Sequence, residues 1–279
     1  MPADHLEALA KKFGAGPYAS ARTGVETEEK PGQFFVREDG NDFVLNIPSV
    51  GEVKLLSALA ANGAEKTHSQ WQEYSRTNPD KVVVPNSVVI YQILRGLYHL
   101  KDNPVHDKCV LALRKNLDRP RHTGTKVVYK TGLEAAVTHL QSDKSSRSID
   151  LDIPEFTRFN NDWSYLVLAD KQAEVQLGTV KTLPENATSV LEALLGDGYG
   201  EAGAVFQYVS SRKNNNLREV RLWTPTKNNR KTERAVVLGV YDGGGWFGIG
   251  ASVVIDGSWP ALGVVYTGAK NFPQEMKVT

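Results

Sequence analysis

The stretch LLGDGYGEAGAVFQYV, residues 194–209, decides between two fold classes. Its glycines Gly198, Gly200 and Gly203 have the G-x-G-x-x-G spacing that holds a dinucleotide pyrophosphate when a strand precedes the loop and a helix follows it. Here the order is reversed, because residues 183–195 have helical apolar spacing and the glycines lead into β-branched and aromatic residues. We therefore interpret the glycines as the end of a helix that leads into a strand, and we expect no dinucleotide site.

The pattern of elements changes along the chain at a polar stretch, SDKSSRS, residues 142–148. Before it, helical apolar spacing predominates, with a small β element around the Asp39-Gly40 turn signal. After it, strand-like runs predominate and only one clear helix is predicted. The sequence therefore predicts an α+β fold with a helix-rich domain, residues 1–143, and a β-rich, mostly antiparallel domain, residues 148–279. One integrated domain is the alternative, since 279 residues fit either arrangement.

Individual helices and strands are predicted from apolar spacing, capping residues and turn residues. Helices are predicted over residues 49–62, 66–76, 88–100, 104–113, 132–141 and 183–195. Strands are predicted over residues 33–36, 43–47, 127–129, 149–153, 165–168, 174–180, 204–209, 220–223, 235–241, 247–255 and 262–266. The apolar residues of 88–100 leave little polar face, so we expect this helix to be deeply buried.

The composition is that of an ordinary globular protein, with 41% hydrophobic residues, 23% charged residues and a net charge of +1. Cys109 is the single cysteine, so the chain can form no internal disulfide and no zinc site built on several cysteines. The sequence has neither the pattern of a secretory signal nor an apolar run of about 18 residues. We therefore expect a cytoplasmic protein without a membrane partner, and we predict no cofactor.

Positive charge is concentrated in two segments of the sequence. Residues 114–130 have a local excess of +5 and residues 212–234 an excess of +6, so the remainder of the chain carries about −10. Arginine and lysine bind phosphates, and an aromatic side chain such as Trp223 can stack on an unpaired base. The candidate nucleic-acid-binding residues are Arg114, Lys115, Arg119, Arg121, Lys126, Lys130, Arg212, Lys213, Arg218, Arg221, Trp223, Lys227, Arg230, Lys231 and Arg234.

Two interpretations of these basic segments stay open. Residues 218–235 are predicted to form a hairpin with a basic tip, TPTKNNRKTER, and such a finger suits a nucleic-acid groove or a single strand. Alternatively, polar loops rich in lysine keep a β-protein soluble and leave its sheet edges unpaired. The net charge of +1 is low for a dedicated nucleic-acid-binding protein.

Two sets of carboxylates are candidate metal ligands. Asp42, followed by Glu52-Val-Lys54, has the arrangement with which metal-dependent nucleases hold a divalent ion and orient a water. This chemistry needs Glu52 and Lys54 on one face of a strand, whereas the sequence SVGE that ends at Glu52 is predicted to be a capping box that begins a helix. Asp150 and Asp152 share a face of a predicted strand, and a solvated face is favoured over a metal site there.

Two further features have a simple structural interpretation. His106 and Cys109 lie three residues apart on a predicted helix and are candidates for metal ligands or for a base and a nucleophile, but a core role is favoured. The glycine-rich sequence 242–250, which contains Trp246, is predicted to be a hairpin turn followed by a bend in the sheet. A ligand or subunit contact at Trp246 is the alternative. No catalytic residue is predicted.

The leading hypothesis is a non-enzymatic, nucleic-acid-associated protein that contacts phosphates through the two basic segments. The first alternative is a self-assembling structural subunit, a homo-oligomer built on the glycine-rich strands. The second alternative is a metal-dependent phosphodiester hydrolase that uses the carboxylates described above. The three hypotheses predict, respectively, salt-dependent binding, a mass that rises with concentration, and magnesium-dependent cleavage.

Overall fold

Two β-sheets, five α-helices and two short 3₁₀ helices form the regular structure of the part of the chain that is described. The structure is a computed structural model, and the described residues are 33–48, 50–100, 104–129, 134–139, 157–159, 162–168, 174–177, 185–210, 219–223, 232–241 and 246–267. The strands are β1 (Phe35–Asp39), β2 (Asp42–Ile47), β3 (Gly51–Leu55), β4 (Arg121–Tyr129), β5 (Glu134–His139), β6 (Thr157–Phe159), β7 (Asp162–Leu168), β8 (Glu174–Gln176), β9 (Glu219–Trp223), β10 (Thr232–Tyr241), β11 (Trp246–Val254) and β12 (Val264–Tyr266). The helices are α1 (His68–Thr77), α2 (Ser87–His99), α3 (Pro104–Asn116), α4 (Glu185–Leu195) and α5 (Ala202–Ser210). None of these described helices is long and apolar enough to cross a membrane.

The described strands form one small and one large sheet. The small sheet has the order β1-β2-β3-β12, and the large sheet has the order β6-β7-β5-β4-β10-β11-β9-β8. Neighbouring strands pair antiparallel except β9 and β11, which run parallel. Helices together with mostly antiparallel sheets confirm the predicted α+β class.

Both sheets contain strands from before and after residues 142–148. In the small sheet, Val264 of β12 lies opposite Leu55 of β3. In the large sheet, Val237 of β10 lies opposite His122 of β4. Strand pairing therefore connects the two predicted domains. The linker itself lies outside the described residues, so the division into two domains stays a prediction.

Helix α2 is the centre of the main hydrophobic core. Eleven of its 13 residues, from Ser87 to Leu97, are buried, as its apolar sequence predicts. Asn86 caps the helix, because its side-chain oxygen accepts a hydrogen bond from the Val89 amide at 3.0 Å. Helix α2 contacts α4, α5, β2 and β4, so it joins the two sheets in one core.

The glycines that follow α4 have turn and packing roles. Gly196 and Gly198 have φ angles of +68° and +76°, so α4 ends in the left-handed region, as predicted. A Cβ atom on Gly198 would lie 2.3 Å from Cζ of Arg95, and one on Gly203 would lie 2.5 Å from the carbonyl oxygen of Leu177. These close contacts account for the two glycines without a bound phosphate.

Two predicted helices are strands in the structure. The helix predicted over residues 49–62 is wrong, because residues 51–55 form β3, which pairs with β2 on one side and β12 on the other. The helix predicted over residues 132–141 is also wrong, because β5 pairs between β4 and β7. In both places short apolar runs fit either element, and sheet pairing selects the strand. The strand predicted over residues 149–153 lies outside the described residues.

The strand predicted over residues 204–209 is wrong, because these residues belong to helix α5. Val205, Phe206 and Val209 have the i, i+1, i+4 spacing of one helix face, and all three are buried. The helix contacts α2, β9 and β11, so its apolar face covers the large sheet. Burial of this face overrides the β propensity of the valines and aromatic residues.

Candidate nucleic-acid interface

The two basic segments meet in the large sheet, where β4 from the first segment pairs with β10 from the second. Tyr129, the last residue of β4, lies opposite Thr232, the first residue of β10. We call this part of the sheet the β4–β10 end. Lys130 follows Tyr129 and Lys231 precedes Thr232 in the sequence, although both lysines lie outside the described residues.

Two candidate cations near the β4–β10 end are described. Nζ of Lys126 donates a hydrogen bond to Oε2 of Glu233 at 3.0 Å, across the two strands. The guanidinium of Arg234 lies 5.9 Å from the ring centroid of Tyr129. Both cations are partly exposed. Glu233 therefore balances the charge of Lys126.

The hairpin predicted over residues 218–235 is wrong. Strand β9 lies between β8 and β11, whereas β10 lies between β11 and β4, so β11 separates the two strands of the predicted hairpin. Because β9 is parallel to β11 and β11 is antiparallel to β10, β9 runs toward the β4–β10 end. The sequence did not reveal this arrangement, since the intervening strand comes later in the chain.

The first basic segment extends along the whole length of β4. Arg121 begins the strand eight residues before Tyr129, a separation of about 26 Å at the rise of a β-strand. Arg121 is 6% exposed, donates to the carbonyl of Asn116 and pairs with Asp118 at 2.7 Å. It therefore connects the end of α3 to β4 and lies far from the β4–β10 end.

Arg114 stabilises the end of helix α5. Its Nη2 and Nε atoms donate to the carbonyl oxygens of Tyr208 and Val209 at 2.8 and 3.2 Å. The last carbonyls of a helix have no partner within the helix, and a cation there also interacts favourably with the helix dipole. Arg114 therefore has an internal role, whereas Lys115 and Arg119 are exposed.

Eight of the fifteen candidate nucleic-acid-binding residues are described. Arg114 and Arg121 hold elements of the fold together, and Lys126 and Arg234 lie near the β4–β10 end. The other described candidates are Lys115, Arg119, Arg221 and Trp223. The candidates outside the described residues are Lys130, Arg212, Lys213, Arg218, Lys227, Arg230 and Lys231.

Three aromatic side chains, which we call the aromatic cluster, lie together on one face of the large sheet. Tyr241 and Trp246 lie opposite each other in β10 and β11, and their rings stack with centroids 4.1 Å apart. Trp223 of β9 lies edge-on to Trp246 at 4.7 Å and to Tyr241 at 5.2 Å. Trp223 and Tyr241 are partly exposed, whereas Trp246 is 8% exposed.

Glycines of β11 make room for the aromatic cluster. A Cβ atom on Gly250 would lie 2.3 Å from Cβ of Trp223, and one on Gly248 would lie 2.6 Å from the ring of Trp246. Arg221 pairs with a carboxylate of its own strand at 2.6 Å, and its guanidinium lies 5.3 Å from the centroid of Trp246. The glycine-rich sequence therefore allows indole rings to lie close to the sheet backbone.

The candidate nuclease residues lie on strands, not at the start of a helix. Glu52 and Lys54 share a face of β3, but the Lys54 ammonium lies 2.9 Å from Asp39 and 3.4 Å from Asp42. Glu52 lies 3.6 Å from Arg37. In the pairing of β3 with β2, Glu52 lies four residues along the strand from the position of Asp42, a separation of about 13 Å. The two carboxylates therefore pair with different cations.

The remaining metal and nucleophile candidates give no site among the described residues. Within those residues, no three histidine, cysteine or acidic side chains are close enough to hold a metal ion. Asp150 and Asp152 lie outside the described residues. His106 and Cys109 are buried in α3, and burial raises the pKa of the Cys109 thiol to about 12. Both residues therefore belong to the core.

Sequence reasoning missed a pair of buried histidines. The rings of His68 in α1 and His122 in β4 have centroids 5.4 Å apart, and the side chains are 3% and 0% exposed. Both nitrogens of His68 and Nε2 of His122 have no hydrogen-bond partner among the described residues. Burial lowers the pKa of His68 to about 3 and that of His122 to about 4, so both rings are neutral at neutral pH. No local sequence signal links two residues that only the tertiary fold brings together.

Comparisons of the chain with protein-family models, with curated proteins and with solved structures found no match.

Proposed function

We propose that this protein binds nucleic acid and that its phosphate contacts lie at the β4–β10 end of the large sheet. The observation that carries this proposal is the pairing of Tyr129 with Thr232. This pairing joins two segments that are far apart in sequence and that have local charge excesses of +5 and +6.

Converging cations favour phosphate binding because each contact releases counterions from the nucleic acid. Lys130 adjoins Tyr129 and Lys231 adjoins Thr232 in the sequence, and Arg230 and Arg234 each lie two residues from Thr232. The rest of the chain carries about −10, so it repels phosphates and favours approach to the two basic segments. This separation of charge supports binding in spite of the net charge of only +1.

The two alternative functions have weaker support. Asp42 and Glu52 pair with different cations and are about 13 Å apart along the sheet, too far for one divalent ion. Self-association through the glycine-rich strand is disfavoured because β11 already pairs with β9 and β10. We therefore propose neither of them.

The first experiment measures the salt dependence of binding. A fluorescein-labelled oligonucleotide of about 20 nucleotides is titrated with the protein at about 50 and about 200 mM salt, and binding is followed by fluorescence anisotropy. For roughly five phosphate contacts we expect the Kd to rise about a hundredfold between the two conditions. A Kd that does not change with salt, or no binding at low salt, contradicts the proposal.

Charge reversals then locate the contacts. Arg230→Glu combined with Lys231→Glu is expected to weaken binding and to reduce the slope of log Kd against log salt by about 2. The matched control is Arg76→Glu combined with Lys81→Glu, which changes the net charge equally but outside both basic segments. Equal weakening by the two double variants would reveal a general charge effect and would reject the β4–β10 end as the site.

A third variant tests one of the described cations, Lys126. Glu233→Gln removes the carboxylate that accepts from Lys126 at 3.0 Å, so the ammonium becomes available to a phosphate. We expect the Kd to fall a few-fold at low salt, because one repulsive charge is removed and one contact is gained. An unchanged or higher Kd would place Lys126 outside the contact surface.

A further inference from the structure

We infer that the bound nucleic acid is single-stranded and that one of its unstacked bases lies against Trp223 of the aromatic cluster. This inference rests on the proposed function. It adds the class of nucleic acid and the residue that contacts a base.

The first observation is the way in which Trp223 is held. Tyr241 and Trp246 contact its ring edge-on, at centroid distances of 5.2 and 4.7 Å, which leaves the indole partly exposed in a fixed orientation. Because Trp223 lies so close to Gly250, its side chain lies near the backbone of the sheet. A fixed, partly exposed indole binds a base by stacking at a small cost in side-chain entropy.

The second observation is the position of the ring on the face of a sheet. Strands β10, β11 and β9 are adjacent in the sheet, and the aromatic cluster lies across all three of them. Bases of a duplex already stack on both of their faces and are reached only through a groove, whereas bases of a single strand are free to leave the stack. A sheet surface with aromatic rings therefore selects the single strand.

The third observation is the position of Trp223 relative to the phosphate contacts. In the register of the sheet, Trp223 of β9 lies opposite Gly250 of β11, and Gly250 lies opposite Val237 of β10. Val237 comes five residues after Thr232. Trp223 is therefore about 16 Å along the sheet from the β4–β10 end. Three cations precede β9 and three follow it before β10, namely Arg212, Lys213, Arg218, Lys227, Arg230 and Lys231. The sequence on both sides of β9 is therefore basic, which favours a nucleic acid as the ligand that contacts Trp223.

The experiment compares two probes and two matched variants. The probes are a fluorescein-labelled oligo(dT) of about 20 nucleotides and a mixed-sequence duplex of the same length. Trp223→Leu keeps an apolar side chain but removes the flat ring, and Trp259→Leu is the control, since it removes another partly exposed indole. We expect the wild-type protein to bind oligo(dT) more tightly than the duplex. We expect Trp223→Leu to weaken oligo(dT) binding roughly 5- to 100-fold and to leave duplex binding within about twofold.

A second variant separates stacking from folding. Trp223→Phe retains an aromatic face, so oligo(dT) binding is expected to recover to within a few-fold of the wild-type value. Circular dichroism and thermal unfolding of all three variants identify any loss of structure. Quenching of tryptophan fluorescence by oligo(dT) is a further readout, and we expect most of it to disappear in Trp223→Leu.

Several outcomes overturn the inference. Equal Kd values for oligo(dT) and duplex, an unchanged Kd in Trp223→Leu, or a Phe variant as weak as the Leu variant each contradict stacking on Trp223. A molecular mass that doubles with concentration and returns to the monomer value in Trp223→Leu would assign this face to a second copy of the chain. If binding depends on salt but the Kd is the same in these variants and in the wild-type protein, this inference alone is contradicted. Absence of binding to both probes contradicts the proposed function as well.

Discussion

Acidification from about pH 7 to about pH 5 is expected to lower the free energy of unfolding of this fold by about 6 kcal/mol. Three of the buried histidines, His68, His122 and His139, carry this effect. Burial lowers their pKa values to about 3, about 4 and about 4, whereas an unfolded histidine has a pKa of about 6.5. All three are therefore neutral in the folded protein at a pH at which they become protonated in the unfolded chain.

The surroundings of each ring explain the low pKa values. His139 fits the tautomer in which Nε2 donates to the carbonyl of Ala193 at 2.6 Å and Nδ1 accepts from the hydroxyl of Thr125 at 2.8 Å. A second proton would remove the acceptor of that hydroxyl hydrogen bond. His68 and His122 face each other near Lys126, so a proton on either ring repels its neighbours.

The sign and the size of the effect follow from proton linkage. Because the folded pKa values lie below the unfolded value, the contribution of each histidine is fully present above about pH 6.5 and is lost as the pH falls toward about 4. Each histidine costs about 1.4 kcal/mol per pH unit in this range, which amounts to about 2 kcal/mol at pH 5. The three together cost about 6 kcal/mol, compared with a typical free energy of unfolding of about 5–15 kcal/mol.

Urea denaturation followed by circular dichroism at about pH 7, 6 and 5 measures this loss. We expect the free energy of unfolding to fall by about 4 kcal/mol per pH unit below about pH 6.5. His68→Leu removes one of the three groups and is expected to reduce that slope by about a third, since Leu has no proton to gain. A free energy of unfolding that stays constant to pH 5, or a slope that His68→Leu leaves unchanged, would refute the reasoning.

Three further variants test individual contacts. Gly203→Ala is expected to lower the free energy of unfolding by about 1–3 kcal/mol in urea denaturation, because its Cβ atom would lie 2.5 Å from the carbonyl oxygen of Leu177. Arg114→Met keeps much of the side-chain length but removes two hydrogen bonds to the last carbonyls of α5, and we expect a loss of about 1–2 kcal/mol with faster hydrogen exchange at the end of that helix. Tyr91→Phe removes the hydrogen bond to the Gly198 carbonyl at 2.6 Å and is expected to cost about 1 kcal/mol, seen as a lower thermal midpoint. A variant as stable as the wild-type protein would show that its contact contributes nothing.

Elements with strong local signals were predictable from the sequence. Asn86 and Pro104 mark the starts of α2 and α3, and the Asp39-Gly40 pair marks the turn between β1 and β2, where Gly40 has a φ of +63°. The burial of α2 also follows from its sequence, because most of its residues are apolar. These features depend on residues a few positions apart, so no knowledge of the tertiary fold is needed.

Elements chosen by long-range contacts were not predictable. The capping-box pattern that ends at Glu52 is a valid local signal, but pairing with β2 and β12 makes the segment a strand. Val205, Phe206 and Val209 fit a strand by propensity and a helix by spacing, and burial against the large sheet decides. Such conflicts are settled by partners that come from distant parts of the chain.

The candidate site was predictable in its charge but not in its geometry. Arg121 and Lys126 are equivalent cations in the sequence, yet Arg121 is buried beside Asp118 at the start of β4, whereas Lys126 lies near the other end. Which cations serve the fold and which remain for a ligand depends on strand register and on helix ends. The buried histidine pair was not predictable for the same reason, since only the tertiary fold brings the two rings together.

The pairing of β4 with β10 also separates the two interpretations of the basic sequence. A role in solubility needs cations that are dispersed over the surface, because like charges brought close together repel each other and destabilise the fold. Instead, the ends of both segments meet at Tyr129 and Thr232, where Lys126 donates to Glu233 and the Arg234 guanidinium lies against the Tyr129 ring. A bound polyanion would offset any repulsion between the basic sequences that this pairing joins. For this reason the convergence of the two segments supports phosphate binding more strongly than their total charge does.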